Sequence, residues 1–249
     1  MLTFPFEMEQ KLGPQIGLIV LQSDESIERD MRRLMPNMVE LLVSRVPSGT
    51  HVTPDSLAAM EAELKHAAAL FPQTARFRAV GYGCTSGTAQ IGAKNVSAAI
   101  RSGLVADAVT DPVTALIAAC RQLSARRIGL LSPYIESVSA RLREVLSSAG
   151  IAVCAFASFE ESAEDRVARI TAQSILAAAS KLAKMERMDA LFISCTNLRT
   201  LDVIDRIEAE TGLPVFSSNQ VLAWHLLRLS GTVAAPAAPG RLWTESAPA

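Results

Sequence analysis

Of the four cysteines in this sequence, Cys84 and Cys195 share a setting that Cys120 and Cys154 do not. Cys84 sits in "AVGYGCTSGTAQIG" (Ala79 to Gly92) and Cys195 ends "MDALFISCT"; each follows an apolar run and each is followed by threonine. A thiol in a glycine-rich turn ahead of a helix is flanked by unpaired N–H groups and the positive end of the helix dipole. Both draw its pKa down from about 8.5 toward thiolate. The same N–H groups, with the hydroxyls of Thr85 and Ser86, can hold a carboxylate. A nucleotide cradle is the rival use for such a turn, but the motifs do not fit. After Gly81 and Gly83 the third glycine of G-x-G-x-x-G is replaced by Ser86, and no lysine follows before Lys94, so a P-loop is also missing. Cys120, on a predicted helix face, and Cys154, inside a predicted strand, read as small buried hydrophobes.

Two thiols on opposite walls of one cleft suit a reaction that treats the two faces of a carbon separately. In a racemase, one thiolate removes the proton α to a carboxylate and the other thiol returns a proton to the opposite face. In a cis-trans isomerase, one thiolate adds to the double bond, the bond rotates, and elimination follows. Either route needs preorganised donors for the charge that gathers on the substrate carboxylate.

The elements that must position these thiols alternate along most of the chain. Predicted strands "IGLIVL", "VELLVSRV" and "FRAVGYG" are separated by amphipathic helices, the second capped by Thr53 and Pro54, and a helix runs from about Gly87 to Arg101. A helix opening at Asp111 and Pro112 begins a second series: strand Arg127 to Pro133, a helix ending at Gly150, strand "IAVCAFA", the long helix "SAEDRVARITAQSILAAASKLAKM", strand "MDALFISCT", helix "TLDVIDRIEAETG", strand "LPVFS" and helix "NQVLAWHLLRLSG". Ile16 precedes Cys84 by 68 positions and Ile128 precedes Cys195 by 67, so the two halves are copies of one plan. The fold class expected is α/β, with two pseudo-symmetric Rossmann-like lobes, each a mainly parallel sheet flanked by helices, and the active site in the cleft where the strand carboxyl ends meet. Residues 1–110 form the first lobe, completed by a C-terminal helix at 216–231. Residues 111–215 form the second, and 232–249 read as a loosely packed Ala/Pro-rich tail.

Composition narrows the classes. With 249 residues, 49% apolar, and a net charge of -1 spread along the chain, a compact globular protein is expected and a nucleic-acid partner is not. No apolar run approaches the roughly 18 residues of a membrane span. The N-terminus lacks a basic region followed by an apolar core, so a cytoplasmic protein with free thiols is expected. His51, His66 and His225 are widely separated and form no metal-ligand pattern, so no metal is expected.

The segments "GLIVLQSDESIERD", "RVPSGTHVTPDSL", "GYGCTSGT", "LLSPYIESV" and "SCTNLRTLDVI" together resemble the aspartate/glutamate/hydantoin racemase superfamily, in its branch of maleate cis-trans isomerase and arylmalonate decarboxylase. They look especially like the subgroup labelled as ectoine-utilisation proteins. The resemblance implies a cofactor-independent isomerase acting on a small dicarboxylate or amino acid, with Cys84 and Cys195 as catalytic thiols. Thr85, Ser86, Tyr134 and Thr196 are then substrate contacts, and homo-oligomers are common in the family. Departures matter. Arylmalonate decarboxylases carry glycine at the first cysteine position, so Cys84 argues against decarboxylation. Maleate isomerases carry a carboxylate-binding asparagine where this sequence has Asp24, which as an anion would repel a second carboxylate and attract an ammonium group. Asp24 as a helix cap is the equal alternative. A second family asparagine should fall near "SAEDRVARI", where none is present. Decarboxylation of a malonate-like substrate, and a binding module without chemistry, remain the rival functions.

Overall fold

In a computed structural model, residues 1–8, 13–233 and 238–244 are described. Two four-stranded parallel sheets carry the chain. The first uses β1 (Gln15–Leu21), β2 (Glu40–Val46), β3 (Phe77–Gly83) and β4 (Ala106–Thr110); the second uses β5 (Arg127–Tyr134), β6 (Ala152–Glu161), β7 (Ala190–Ile193) and β8 (Val215–Ser217). Their strand orders are β2-β1-β3-β4 and β6-β5-β7-β8, the same order with every index raised by four. The duplication expected from spacing is therefore a duplication of topology. In each sheet the first and third strands of the lobe lie side by side at the centre, and the carboxyl end of the third leads to the cysteine turn.

Helices α1 (Ile27–Leu34) and α2 (Pro54–Ala69) connect the first strands, with α2 opened by a capping box between Thr53 and Ser56. The single helix expected from Gly87 to Arg101 is two, α3 (Thr85–Ile91) and α4 (Ala93–Arg101), because Gly92 takes φ 94 between them. Asp111 opens α5 (Pro112–Gln122) as expected, accepting the N–H groups of Val113 and Thr114. After α6 (Glu136–Ser148), the long helix expected at 162–185 is also divided, into α7 (Glu164–Val167) and α8 (Ala172–Leu182). Thr171 caps the second piece by accepting from Ser174 N, and β6 runs on to Glu161. Strand β4 had no counterpart in the sequence reading.

The sheets bury apolar residues on both faces, as parallel sheets do. Ile16, Leu18 and Val20 of β1 pack with Met31 and Leu34 of α1 and with Leu222 and Leu226 of α10 (Ser218–Ser230). Val221 and Trp224 of α10 join a different cluster, with Leu116 of α5, Ile128 and Phe192. Helix α10 thus lies against β3, β4 and α5, and belongs to both lobes' cores. Helix α9 (Ile204–Thr211) precedes β8, and the short α11 (Arg241–Thr244) follows residue 240. The tail expected to be loose is docked at 238–244: Leu242 is fully buried, Gly240 N bonds Asp205 and Arg241 N bonds Glu208. Residues 234–237 and 245–249 of that tail lie outside the described residues. Among the described residues no helix is long and apolar enough to cross a membrane.

Candidate active site

Strand β3 ends at Gly83, and Cys84 is the N-cap residue of α3, its Sγ accepting a hydrogen bond from Gly87 N at 3.2 Å. Cys195 follows β7 by two residues and sits at φ 100, a strained backbone for a side chain with a Cβ. Its Sγ takes the N–H of Asn197 at 3.3 Å and lies 3.0 Å from the Tyr134 hydroxyl, at the end of β5. Both thiols line one enclosed cavity with Thr85, Ser86, Tyr134 and Thr196, so six of the seven expected site residues meet there. The cavity has about 10 Å³ of free volume, room for a single water.

Asp24 is the exception. Its Oδ1 accepts from Ser26 N and Ile27 N, both at 2.8 Å, which braces the turn into α1 from two residues before the N-cap residue, Ser26. Its Oδ2 is buried without a hydrogen-bond partner, and burial raises its pKa. Cys120 and Cys154 lie outside the cavity, Cys120 buried in α5 and Cys154 donating to Ile128 O. His225 sits beside Thr110 at 2.7 Å instead of a thiol.

One expectation is reversed. Gly87 N–H and Tyr82 do favour the Cys84 thiolate, but burial outweighs them and pushes the thiol up to about 12. Cys195 is pushed up too, first by burial and then by the charge of Glu164.

Glu164 was missed by the sequence reading. It opens α7, is 3% exposed, and lines the cavity in the segment where an asparagine was sought. Tyr134 donates to its Oε1 at 2.6 Å and Asn197 Nδ2 to its Oε2 at 2.7 Å. Asn197 also accepts from Glu25 N, and its carbonyl accepts from Ser26 Oγ, so one side chain ties the turn after β1 to the opposite lobe. Ser218, at the start of α10, plays a similar part: its Oγ accepts from Cys195 N at 3.0 Å and lies 2.7 Å from Thr85 Oγ1. Thr196 Oγ1 donates to Gly83 O, closing the pair of Cys-Thr turns on each other. Nothing in "AEDRV" or "SSNQV" marks these residues in sequence, because their side-chain partners lie 23 to 133 positions away in the chain.

Two residues that line the cavity make backbone bonds between the lobes. Val52, a cavity residue, donates its N–H to Ser162 O, and Glu164 N donates to Thr50 O. Among the described residues no group of three His, Cys, Asp or Glu side chains is placed to hold a metal ion. None of the residues lining the cavity is cationic.

Comparison with known proteins agrees with this architecture. A model of the arylmalonate decarboxylase family matches residues 93–243. The arylmalonate decarboxylase of Bordetella bronchiseptica is 30% identical over 246 residues, covering 96% of this chain and 100% of that protein. A maleate isomerase of Nocardia farcinica is 27% identical, covering 92% and 94%. The structure of the Nocardia farcinica maleate cis-trans isomerase, a cysteine-to-serine mutant with a covalently bound succinylcysteine intermediate, superposes with a TM-score of 0.83 at 23% identity, over 94% of this chain and 99% of that one. With more than half of its length matched by the family model and a 30% identical relative aligned end to end, this two-lobed chain belongs to the arylmalonate decarboxylase family, alongside the maleate isomerases.

Proposed function

We propose that this protein is a cofactor-independent isomerase in which Cys84 and Cys195 act on opposite faces of a small carboxylate. The observation that carries the reading is the placement of both thiols, from equivalent turns of two copied lobes, in one enclosed cavity. For cis-trans isomerisation, one thiolate adds to an alkene carbon and the electron pair moves to the carbon beside the carboxylate. Rotation about the new single bond and expulsion of the same thiolate give the trans product. For racemisation, one thiolate takes the α-proton and the other thiol delivers its own to the opposite face, so the proton count is unchanged. The hydroxyls of Thr85 and Ser86 are suited to hold the substrate carboxylate, with Thr196 bracing the turn through its bond to Gly83 O.

The choice between these routes turns on charge. Asp24 and Glu164 are buried in or against the site, and no cation lines the cavity. Arg45 lies beside Asp24 but is bonded to the carbonyls of Leu21 and Asp24 and does not line the cavity, so a dianion would add to the negative charge there, whereas an amino acid brings an ammonium group that offsets it. This favours racemisation of an amino acid or a diamino acid derivative, the kind of substrate an ectoine-utilisation role would require, over maleate itself. The four free thiols suit a reducing, cytoplasmic setting. Decarboxylation is the reading supported by the 30% identical relative, but it calls for a single thiol and leaves Cys84 without a task.

The test is proton NMR in D2O with L- and D-aspartate and glutamate, diaminobutyrate derivatives, and maleate. Deuterium entering an α-carbon is expected, slowed at least about a hundredfold by Cys84→Ala and by Cys195→Ala alike. Fumarate from maleate would assign the isomerase instead. Activity surviving in Cys84→Ala would remove the two-thiol mechanism.

A further inference from the structure

A buried thiol can serve as a base only if its proton has somewhere to go. Cys195 faces two groups that oppose its charge: Glu164 on α7 and Asp24 on the turn after β1. Ionising it alone would add one more negative charge to a pocket without a cation. The hydrogen bonds around Tyr134 offer another route. A carboxylate only accepts, so the single phenolic proton of Tyr134 points at Glu164 Oε1, 2.6 Å away. That orientation leaves the phenolic oxygen free to accept from the Cys195 S–H at 3.0 Å. We infer that Glu164 is the proton acceptor for Cys195, reached through Tyr134, so that one negative charge is shared between the carboxylate and the thiol.

The step balances. The Cys195 S–H bond breaks and its proton passes to Tyr134 Oη, while the original phenolic proton passes to Glu164 Oε1. The products are a thiolate, an intact tyrosine and a neutral carboxylic acid, with the net charge unchanged. Every partner is satisfied afterwards as before. The thiolate keeps two donors, Tyr134 O–H and Asn197 N–H, and Glu164 Oε2 still accepts from Asn197 Nδ2. Burial raises the Glu164 carboxyl pKa, which makes it a better proton store than an exposed glutamate. Asn197, bonded to both thiol and carboxylate, holds the two ends in register. Glu164 acts through Tyr134 and is in this sense a positioning residue. The inference rests on the proposed function only in taking Cys195 as a working thiol.

The test needs no substrate, so it stands apart from the identity of the reaction. Thiolate absorbance in the ultraviolet is followed against pH for Cys84→Ala protein, and the Cys84→Ala/Cys195→Ala spectrum is subtracted to isolate Cys195. A proton shared within a pair makes the thiolate fraction independent of pH, until acid adds a second proton to the pair and the thiolate is lost. The signal is therefore expected to vary less than about twofold between about pH 6 and about pH 8. With Glu164→Gln or Tyr134→Phe added, it should vanish near neutrality and grow about tenfold per pH unit on the alkaline side. The two variants break the chain at different links while keeping similar shapes, so agreement between them excludes a misfolding artefact, and the plateau in the parent decides the matter if either fails to fold. An alkaline-only titration in the parent would overturn the inference. A neutral thiolate that strengthens in Glu164→Gln would do the same, because Glu164 would then act only by repulsion.

Discussion

Cys195 combines a reactive side chain with a backbone angle, φ 100, that L residues rarely adopt. Such strain costs of order 1–3 kcal/mol and persists where the surroundings impose it. Here Cys195 N is held by Ser218 Oγ, and the next residues are fixed by Thr196 to Gly83 O and by Asn197 to Glu164. Glycine would relieve the angle, and its extra unfolded-chain entropy costs only about 0.5–1 kcal/mol. Cys195→Gly is therefore expected to be more stable than Cys195→Ala, by up to about 2.5 kcal/mol in urea unfolding; equal midpoints would mean the angle relaxes freely. At this scale the sequence revealed the thiols and their neighbouring hydroxyls, because a Cys-Thr pair at two matched strand ends is a local pattern. It concealed Glu164, Asn197 and Ser218, whose roles arise from contacts 23 to 172 positions away in the chain. The raised Cys84 pKa was hidden for the same reason: the turn's donors are local, but the burial that outweighs them comes from packing that no local pattern records.

At the scale of elements, what the sequence showed was periodicity and caps; what it hid was where a continuous pattern is cut. Val96 and Ile100 continue an apolar face begun before Gly92, yet Gly92 turns the chain, and Thr171 restarts a helix that its composition would have carried through. Strand β4, "ADAVT", is not marked as a strand in the sequence because Asp107 at its second position interrupts the apolar run. Helix α3 bears most directly on chemistry. A Cβ on Gly87 would fall 2.6 Å from Tyr82 Oη, 2.9 Å from Cys84 Sγ and 3.1 Å from Met60 Cε. Alanine favours the helix by about 0.8–1 kcal/mol but overpacks this corner by about 1–3 kcal/mol, so net stability should fall by no more than about 2 kcal/mol. The thiol, by contrast, must move, and displacement of a reacting atom by about 1 Å can cost a hundredfold in rate. Gly87→Ala is expected to lose at least about tenfold in turnover while melting no more than about 8 °C below the parent. Full activity in that variant would show that Cys84 does not need its observed seat.

The whole molecule is two copies of one strand order joined by α10, and the duplication was legible because spacing survives when residue identity does not. The closed state of the cleft was not legible, since no local pattern records which loops meet. With about 10 Å³ free, the cavity cannot admit an amino acid or a dicarboxylate, so turnover requires the lobes' rims to part. The bonds in the way are those from Val52 N to Ser162 O and from Glu164 N to Thr50 O, in the connection ahead of α2 and at the start of α7, whereas Leu18 and Leu130 lie in the central strands of the two sheets. Local opening breaks the rim bonds and leaves the strands intact, and amide exchange separates the two kinds of event. The amides of Val52 and Glu164 should exchange at least about tenfold faster than those of Leu18 and Leu130, and should slow when a bound carboxylate holds the rim shut. Because Glu164 also lines the cavity, each opening would expose its carboxyl to solvent and let it take up or shed protons between turnovers. If the rim amides are instead as protected as the central strands, substrate must enter by another path, and the seam between residues 50–52 and 162–164 is a structural joint instead of a door.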